Sequence, residues 1–192
     1  MNINQKIFPE PLNKDYSKLQ YDNEGLWSLT TYNLADLISE QILEIVDNNN
    51  LHIIDTCCGC GGNLISFIKY FKNVTAIELD KNRFTYMQNN IKCYTNKSIN
   101  LINGDCIDYL FKADYDIYFF DPPWGGPSYK KKQNIELYLS KYSLNDILKK
   151  LKKDKLVVVK VPYNYNTQLI AKGYKIIKKL TLGNMNVLFL YT

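Results

Sequence analysis

The residues with the plainest chemical potential are Asp121-Pro122-Pro123-Trp124-Gly125-Gly126-Pro127-Ser128-Tyr129, which follow directly on the apolar run Tyr115 to Phe120. Two consecutive prolines fix φ, supply no N–H donors and push the residue before each of them out of the helical region. The chain must leave its strand stiff and extended, with carbonyls free to accept hydrogen bonds. The glycine pair after Trp124 lets the backbone turn sharply, so the indole can project over whatever those carbonyls hold. An acid, acceptor carbonyls and a flat aromatic side chain suit a planar ring bearing an amino group. Such an amine is a poor nucleophile, because its lone pair is delocalised into the ring. Asp121 and the carbonyl of Pro122 can hold its two N–H bonds, orient the nitrogen and take up a proton as a new bond forms, while Trp124 clamps the ring. The competing reading is a proline-rich turn whose tryptophan plugs the core.

A second set lies upstream. Asp55-Thr56-Cys57-Cys58-Gly59-Cys60-Gly61-Gly62-Asn63 runs from a strand into a glycine-rich turn that opens a helix, where Gly59 and Gly61 let backbone approach a ligand closely. Dinucleotide sites prefer G-x-G-x-x-G. Here the turn is G-x-G-G with the acid Asp55 at its start and Asn63 after it, better matched to the amino and carboxylate ends of a methionine moiety. Glu78 ends the next strand, where a carboxylate can accept both ribose hydroxyls, and Asp105 follows the third, where it can accept from an adenine amino group. The cofactor expected is S-adenosylmethionine. The competing reading leaves Glu78 and Asp105 as solvated strand ends.

The spacing of Cys57, Cys58 and Cys60 superficially resembles a metal knuckle, but no second cysteine pair follows and the one histidine, His52, sits in an expected strand. No metal site is expected. Cys93 and Cys106 bring the cysteines to five, an odd number without disulfide-framework spacing, which indicates a reducing compartment.

These residues need a scaffold. From Leu51 the chain alternates short apolar runs with helical patterns, which predicts a parallel sheet wound by crossover helices. Strands are expected over Leu51–Thr56, Val74–Leu79, Asn100–Asn103, Tyr115–Phe120, Leu156–Val161, Tyr174–Leu180 and Val187–Tyr191, and helices over 62–71, 81–94, 106–111, 143–153 and 165–172. A preceding helix, capped by Thr30 or Thr31, carries Leu34, Leu37, Ile38, Ile42 and Ile45 at helical spacing and ends before Asn48. Gly183-Asn184 is too short for a crossover, so the last two strands form an antiparallel hairpin. A seven-stranded, mostly parallel sheet with a C-terminal hairpin and helices on both faces is similar to the Rossmann-like class I methyltransferase fold, whose ligands sit outside the carboxyl ends of the strands. Residues 1–23 read as an N-terminal arm with one short helix around Lys14 to Leu19, and 24–192 as a methyltransferase domain.

Composition is that of a globular protein: 192 residues, 46% hydrophobic and 22% charged, with a net charge of +5. The length fits one domain with a sizeable core. The charge permits a polyanionic partner, but Arg83 is the one arginine among 24 basic residues, so phosphate recognition would rest on lysines, backbone amides and tyrosine hydroxyls. The run Lys149 to Lys155 reads as a solvated helix end. No apolar run reaches the roughly 18 residues that span a bilayer, and Met1 to Pro11 carries no signal-peptide core. A soluble intracellular monomer, cytoplasmic or nuclear and with no membrane partner, is expected.

Taken together, Glu24-Gly25-Leu26-Trp27-Ser28-Leu29-Thr30, Asp55 to Asn63, Asn89-Asn90 and Pro122-Pro123-Trp124-Gly125-Gly126-Pro127 resemble the trimethylguanosine synthase family, in order and spacing from about Glu24 to Tyr129. Those enzymes methylate N2 of the 7-methylguanosine cap of RNA. D/N/S-P-P-[YFW] alone is shared by many amino-group methyltransferases; P-P-W-G-G-P with G-x-G-G-N is far more restricted. The resemblance implies that Trp124 stacks on the cap base, that Asn90 reaches it from the second helix of the sheet, that Tyr129 and Lys130 to Lys132 lie near the triphosphate, and that Ser28, Thr30, Asp55, Glu78 and Asp105 serve the cofactor. It also implies capped RNA as partner. The chain departs from the family in carrying Asp121 where Ser is frequent, and in lacking an arginine near Val161-Pro162-Tyr163, where a phosphate-binding one would fall. Asp121 supports a second reading, an amino-methyltransferase for internal adenine, cytosine or guanine of DNA or ribosomal RNA.

Overall fold

A computed structural model describes residues 3–170 and 172–192. Seven strands form one sheet: β1 (His52–Asp55), β2 (Asn73–Glu78), β3 (Asn100–Asn103), β4 (Ile117–Phe120), β7 (Leu156–Pro162), β8 (Lys175–Leu182) and β9 (Met185–Tyr191). Two further two-residue strands, β5 (Tyr138–Leu139) and β6 (Tyr142–Ser143), make a small separate hairpin. The sheet order is β3-β2-β1-β4-β7-β9-β8. The first five of these run parallel, and β9 lies antiparallel between β7 and β8. Gly183, at φ +60°, turns the hairpin. This is the expected class I methyltransferase architecture.

Alternation along the central strands divides the core. Ile53, Phe119 and Val158 point to one face with α3 (Tyr32–Val46), α4 (Gly62–Tyr70) and α5 (Lys81–Lys92), packing on Ile38, Ile42, Leu64, Phe67, Met87 and Ile91. Their neighbours Ile54, Phe120 and Val159 point to the other face with Leu137, Leu144, Ile147 and Leu148. Thr31 is the N-cap of α3, and Asp47, in the left-handed region, ends it.

The second face is less helical than the periodicity predicts. The helix expected at 106–111 is a single 3₁₀ turn, Cys106–Asp108, held by the Asp105 side chain at its start. The one expected at 143–153 is α6 (Leu144–Leu148), started by Ser143. Beyond it, five lysines among residues 149–155 repel one another at helical spacing, and Asp154 adopts φ +60°. The one expected at 165–172 is a 3₁₀ turn, Thr167–Leu169; residue 171 lies outside the described residues.

The N-terminal segment is built into the domain. It contains α1 (Ile3–Ile7), a 3₁₀ turn at Tyr16–Lys18 where a helix was expected, and α2 (Asn23–Ser28), capped by Asp22. Ile7, Phe8 and Leu19 are buried in the first core layer. Asn90 on α5 pins this segment. It is 0% exposed, its Oδ1 accepts from the Gln20 N–H (2.8 Å), and its Nδ2 donates to the Gln20 carbonyl (2.8 Å) and the Cys60 carbonyl (2.9 Å). One side chain thus joins the N-terminal segment, α5 and the glycine turn. Asn90→Ala strands these buried groups and is expected to lower unfolding stability by about 1–3 kcal/mol, measured by urea denaturation.

Candidate active site

The parallel pairing of β1 with β4 brings the two chemically suggestive loops side by side. Leaving β1, Thr56 donates its N–H (3.1 Å) and its hydroxyl (2.9 Å) to the Phe119 carbonyl of β4. The glycine turn then folds over the end of β2: Cys58 N–H reaches the Ile77 carbonyl (3.0 Å), and Gly59 N–H donates to Glu78 Oε2 (2.8 Å). Gly59 and Gly61 stand at φ +54° and +98°, conformations that side-chain-bearing residues rarely adopt. At Gly62 a Cβ would fall 2.6 Å from Leu29 Cδ2 and 2.9 Å from the Thr30 carbonyl, so only glycine admits the segment after α2 this close. Arg83 on α5 holds α2 in place through ion pairs to Asp22 and Glu24.

A cleft of about 1470 Å³ runs along the carboxyl ends of the strands. In sheet order its wall takes Asp105 after β3, Glu78 from β2, Gly59 and Asn63 after β1, Asp121 after β4, and Lys160 from β7. Two strand spacings separate the Glu78 and Asp121 ends, roughly 10 Å. Pro122, Pro123, Trp124, Tyr129 and Lys130 also border it, as do Ser28 and Thr30. Trp124 is half-buried, packing against the second core layer while it borders the cleft; Tyr129 meets its ring edge-on at 5.2 Å between centroids. Glu78 accepts one backbone N–H on each oxygen, from Gly59 and from Asp80, which fixes the carboxylate and leaves further lone pairs for a ligand. Asp105 accepts from the Ile107 N–H (3.0 Å) and from the Ser140 hydroxyl, so part of its capacity is used within the fold.

Three expected contacts need correction. Asn90 is saturated by backbone groups and does not border the cleft, so it positions the glycine turn instead of reaching a base. Asp55 is 0% exposed and lies behind the cleft wall, its Oδ1 accepting weakly from the Cys57 N–H at 3.4 Å and its Oδ2 without a partner. Gly61 likewise shapes the turn from behind the wall. Lys131 and Lys132 line a separate groove of about 590 Å³ with Tyr163 and Asn164, reached through Lys130.

The residue sequence reasoning missed is Lys160. It is 5% exposed, and its Nζ donates to Asp121 Oδ2 (2.7 Å) and Thr30 Oγ1 (2.8 Å) and lies 5.5 Å from the Trp124 ring centroid. The signal was a lysine in the middle of the otherwise apolar run Leu156 to Pro162, since a buried lysine must find a partner. Asn63 Nδ2 adds a long contact to the same Asp121 oxygen, 3.4 Å. Ser140, beside Asp105, has no readable signal.

Electrostatics separate the two central acids. Burial raises the Asp121 carboxyl above the usual range, and the Lys160 charge and hydrogen bond pull it back. Asp55 has no such cation in contact: burial, then the Asp121 charge, hold its carboxyl well above the usual range. Of the two, Asp55 takes a proton first. Among the described residues no group of three or more His, Cys, Asp or Glu is placed to hold a metal ion, and no helix is long and apolar enough to cross a membrane.

The residues present fit an adenosyl ligand carrying a methionine-like end. Gly59 faces open space where a side chain would stand, Glu78 is oriented for hydroxyls, and buried polar atoms on the cleft wall, Asn63 Oδ1 and Trp124 Nε1, lack partners within the protein.

Fold and site define a class I methyltransferase scaffold. A solved structure from Listeria monocytogenes, proposed to be a class I S-adenosylmethionine-dependent methyltransferase, superimposes with a TM-score of 0.66 at 14% identity, covering 91% of this chain and 63% of that one. The family is set by sequence. Residues 50–187 match the model of the RNA cap guanine-N2 methyltransferases, and the chain belongs to that family. It is 33% identical to the trimethylguanosine synthase of Schizosaccharomyces pombe over 70% of this chain, spanning 58% of the length of that enzyme. It is 34% identical to an uncharacterized protein of Acanthamoeba polyphaga mimivirus, over 94% of this chain and 84% of that protein.

The Asp55 carboxyl yields a stability prediction. With its folded-state pKa raised, its contribution is intact below the ordinary carboxylate value of about 3.9 and is lost as pH rises through the elevated value. Asp55→Asn should therefore stabilise the protein at about pH 8, by on the order of 1 kcal/mol or more, and give no gain near pH 4, as read from urea unfolding at both.

Proposed function

We propose that the protein transfers a methyl group from S-adenosylmethionine to the exocyclic N2 of the 7-methylguanosine cap of RNA, giving 2,7-dimethylguanosine, which a second transfer would carry to 2,2,7-trimethylguanosine. The observation that carries the reading is the shared cleft: the Glu78 end and the Asp121–Trp124 end belong to one cavity of about 1470 Å³, larger than one small ligand requires. Family membership and the trimethylguanosine synthase relative support guanine N2 as the target.

Glu78 would accept the ribose hydroxyls, Asp105 would lie at the adenine end, and Gly59 and Asn63 would face the methionine end, with Ser28 and Thr30 closing that side. S-adenosylmethionine, when bound, supplies an electrophilic methyl on a sulfonium. At the other end Trp124 stacks on the base. N7 methylation makes that base cationic, so stacking on the indole gains a cation–π contribution of order 1 kcal/mol or more. Asp121 and the Pro122 carbonyl hold the amine's N–H bonds, and the carboxylate receives the proton released as nitrogen is alkylated. Lys130 and the adjoining groove, with Lys131 and Lys132, carry positive charge toward the phosphates.

The test is incubation with labelled S-adenosylmethionine and a 7-methylguanosine cap analogue, an unmethylated cap analogue or an uncapped oligonucleotide. Label is expected in the methylated cap analogue; label in the uncapped oligonucleotide alone overturns the proposal in favour of an internal-base amino-methyltransferase. In the same assay Trp124→Ala should raise KM for the methylated cap about tenfold or more while leaving cofactor affinity nearly unchanged.

A further inference from the structure

Lys160 stands at the junction of three parts of the acceptor site. From β7 it meets the Asp121 carboxylate at the end of β4, the Thr30 hydroxyl in the segment after α2, and the face of the Trp124 ring. A lysine this deeply buried must have its charge compensated. Here the compensation falls on the acid of the acceptor loop: Lys160 and Asn63 both occupy Asp121 Oδ2, so Oδ1 is the oxygen left for an incoming amine. The carboxylate plane is thereby set by groups from β7 and α4, independently of the proline-rich loop that carries it.

We infer that Lys160 is the positioning residue of the acceptor site, orienting Asp121 toward the substrate amine and tying that carboxylate to the Trp124 ring and to Thr30. This rests on the proposed amino-group transfer, and extends it to a residue outside the loop that touches the base. The inference also accounts for the departure at position 121. A serine there would need no counter-ion, whereas an aspartate in the same part-buried place is stabilised by one, and this chain supplies it from the neighbouring strand.

The groups that face Asp121 are Lys160 from β7, Asn63 from α4 and, through its charge, Asp55 from β1, with Glu78 in turn acting on Asp55. Lys160 is the one cation among them. Burial already lifts the Asp121 carboxyl, so removing Lys160 leaves desolvation opposed by the long Asn63 hydrogen bond, and protonation moves to higher pH.

Two measurements test the assignment. In Lys160→Met, kcat should fall by about a hundredfold at neutral pH with KM for S-adenosylmethionine essentially unchanged, and the acidic limb of the kcat profile should shift to higher pH. An acidic limb that stays in place overturns the inference. The second reads the pair without any substrate: urea unfolding of Lys160→Met, Asp121→Ser and the double variant. The double variant should unfold at a higher urea concentration than either single variant, because each single change strands one buried charge and the double strands none. Additive losses, or loss of folding in the double variant as well, mean that Lys160 only fills space, and overturn the inference. Failure of the wild type to methylate any capped substrate would overturn the proposed function while leaving the unfolding result to decide the ion pair.

Discussion

The parallel pairing of β1 with β4 is the constraint on which the rest of the molecule depends. After β1 the chain moves outward to β2 and β3, and after β4 it moves the other way to β7, so the connections leave the middle of the sheet in opposite directions. A crevice must open between them at the carboxyl ends. Thr56 fastens the first turn of the glycine loop to the Phe119 carbonyl, and two residues after Phe119 comes Asp121. The cofactor-type loop and the acceptor-type loop therefore share a wall by topology. The N-terminal segment completes the cleft, because Gly62 admits Leu29 and Thr30 and Asn90 holds Gln20 against Cys60.

Placing two carboxylates at the centre of that crevice has a cost. Asp55 ends β1 and Asp121 follows β4 beside it, the first buried and the second part-buried, and desolvation drives each toward the neutral form. Lys160 resolves the conflict in one direction: it contacts Asp121 and leaves Asp55 without a contacting cation. Two acids in similar positions thereby acquire different electrostatic surroundings, and Asp55 is shifted further upward than Asp121. A cationic ligand in the cleft would favour ionised acids and so would be bound partly by relieving this imbalance.

Much of this was legible in the sequence. The strand runs, the Gly183-Asn184 hairpin, and the two loops at strand ends follow from local rules, since period-2 alternation, prolines and glycines act within a few residues. Long-range pairing was not legible. Nothing near Lys160 in the sequence announces Asp121, and nothing near Asn90 announces Gln20 and Cys60; each pairing is made by strands or helices far apart in the chain. The family resemblance implied that Asn90 reaches the base, yet its amide donors and acceptor are taken by backbone groups instead. The second face holds shorter helices than the periodicity predicts; after Leu148 lysine repulsion at helical spacing opposes continuation, a balance that the apolar pattern does not register.

The central claim is that this cleft directs methyl transfer to an exocyclic amine of a cap guanine. The most direct measurement is digestion to nucleosides of a 7-methylguanosine-capped RNA after incubation with the protein and S-adenosylmethionine, followed by mass spectrometry that locates the added methyl. The account predicts 2,7-dimethylguanosine from the cap and no methylated internal nucleoside. A methyl on an internal adenine, cytosine or guanine, with the cap unchanged, would contradict it.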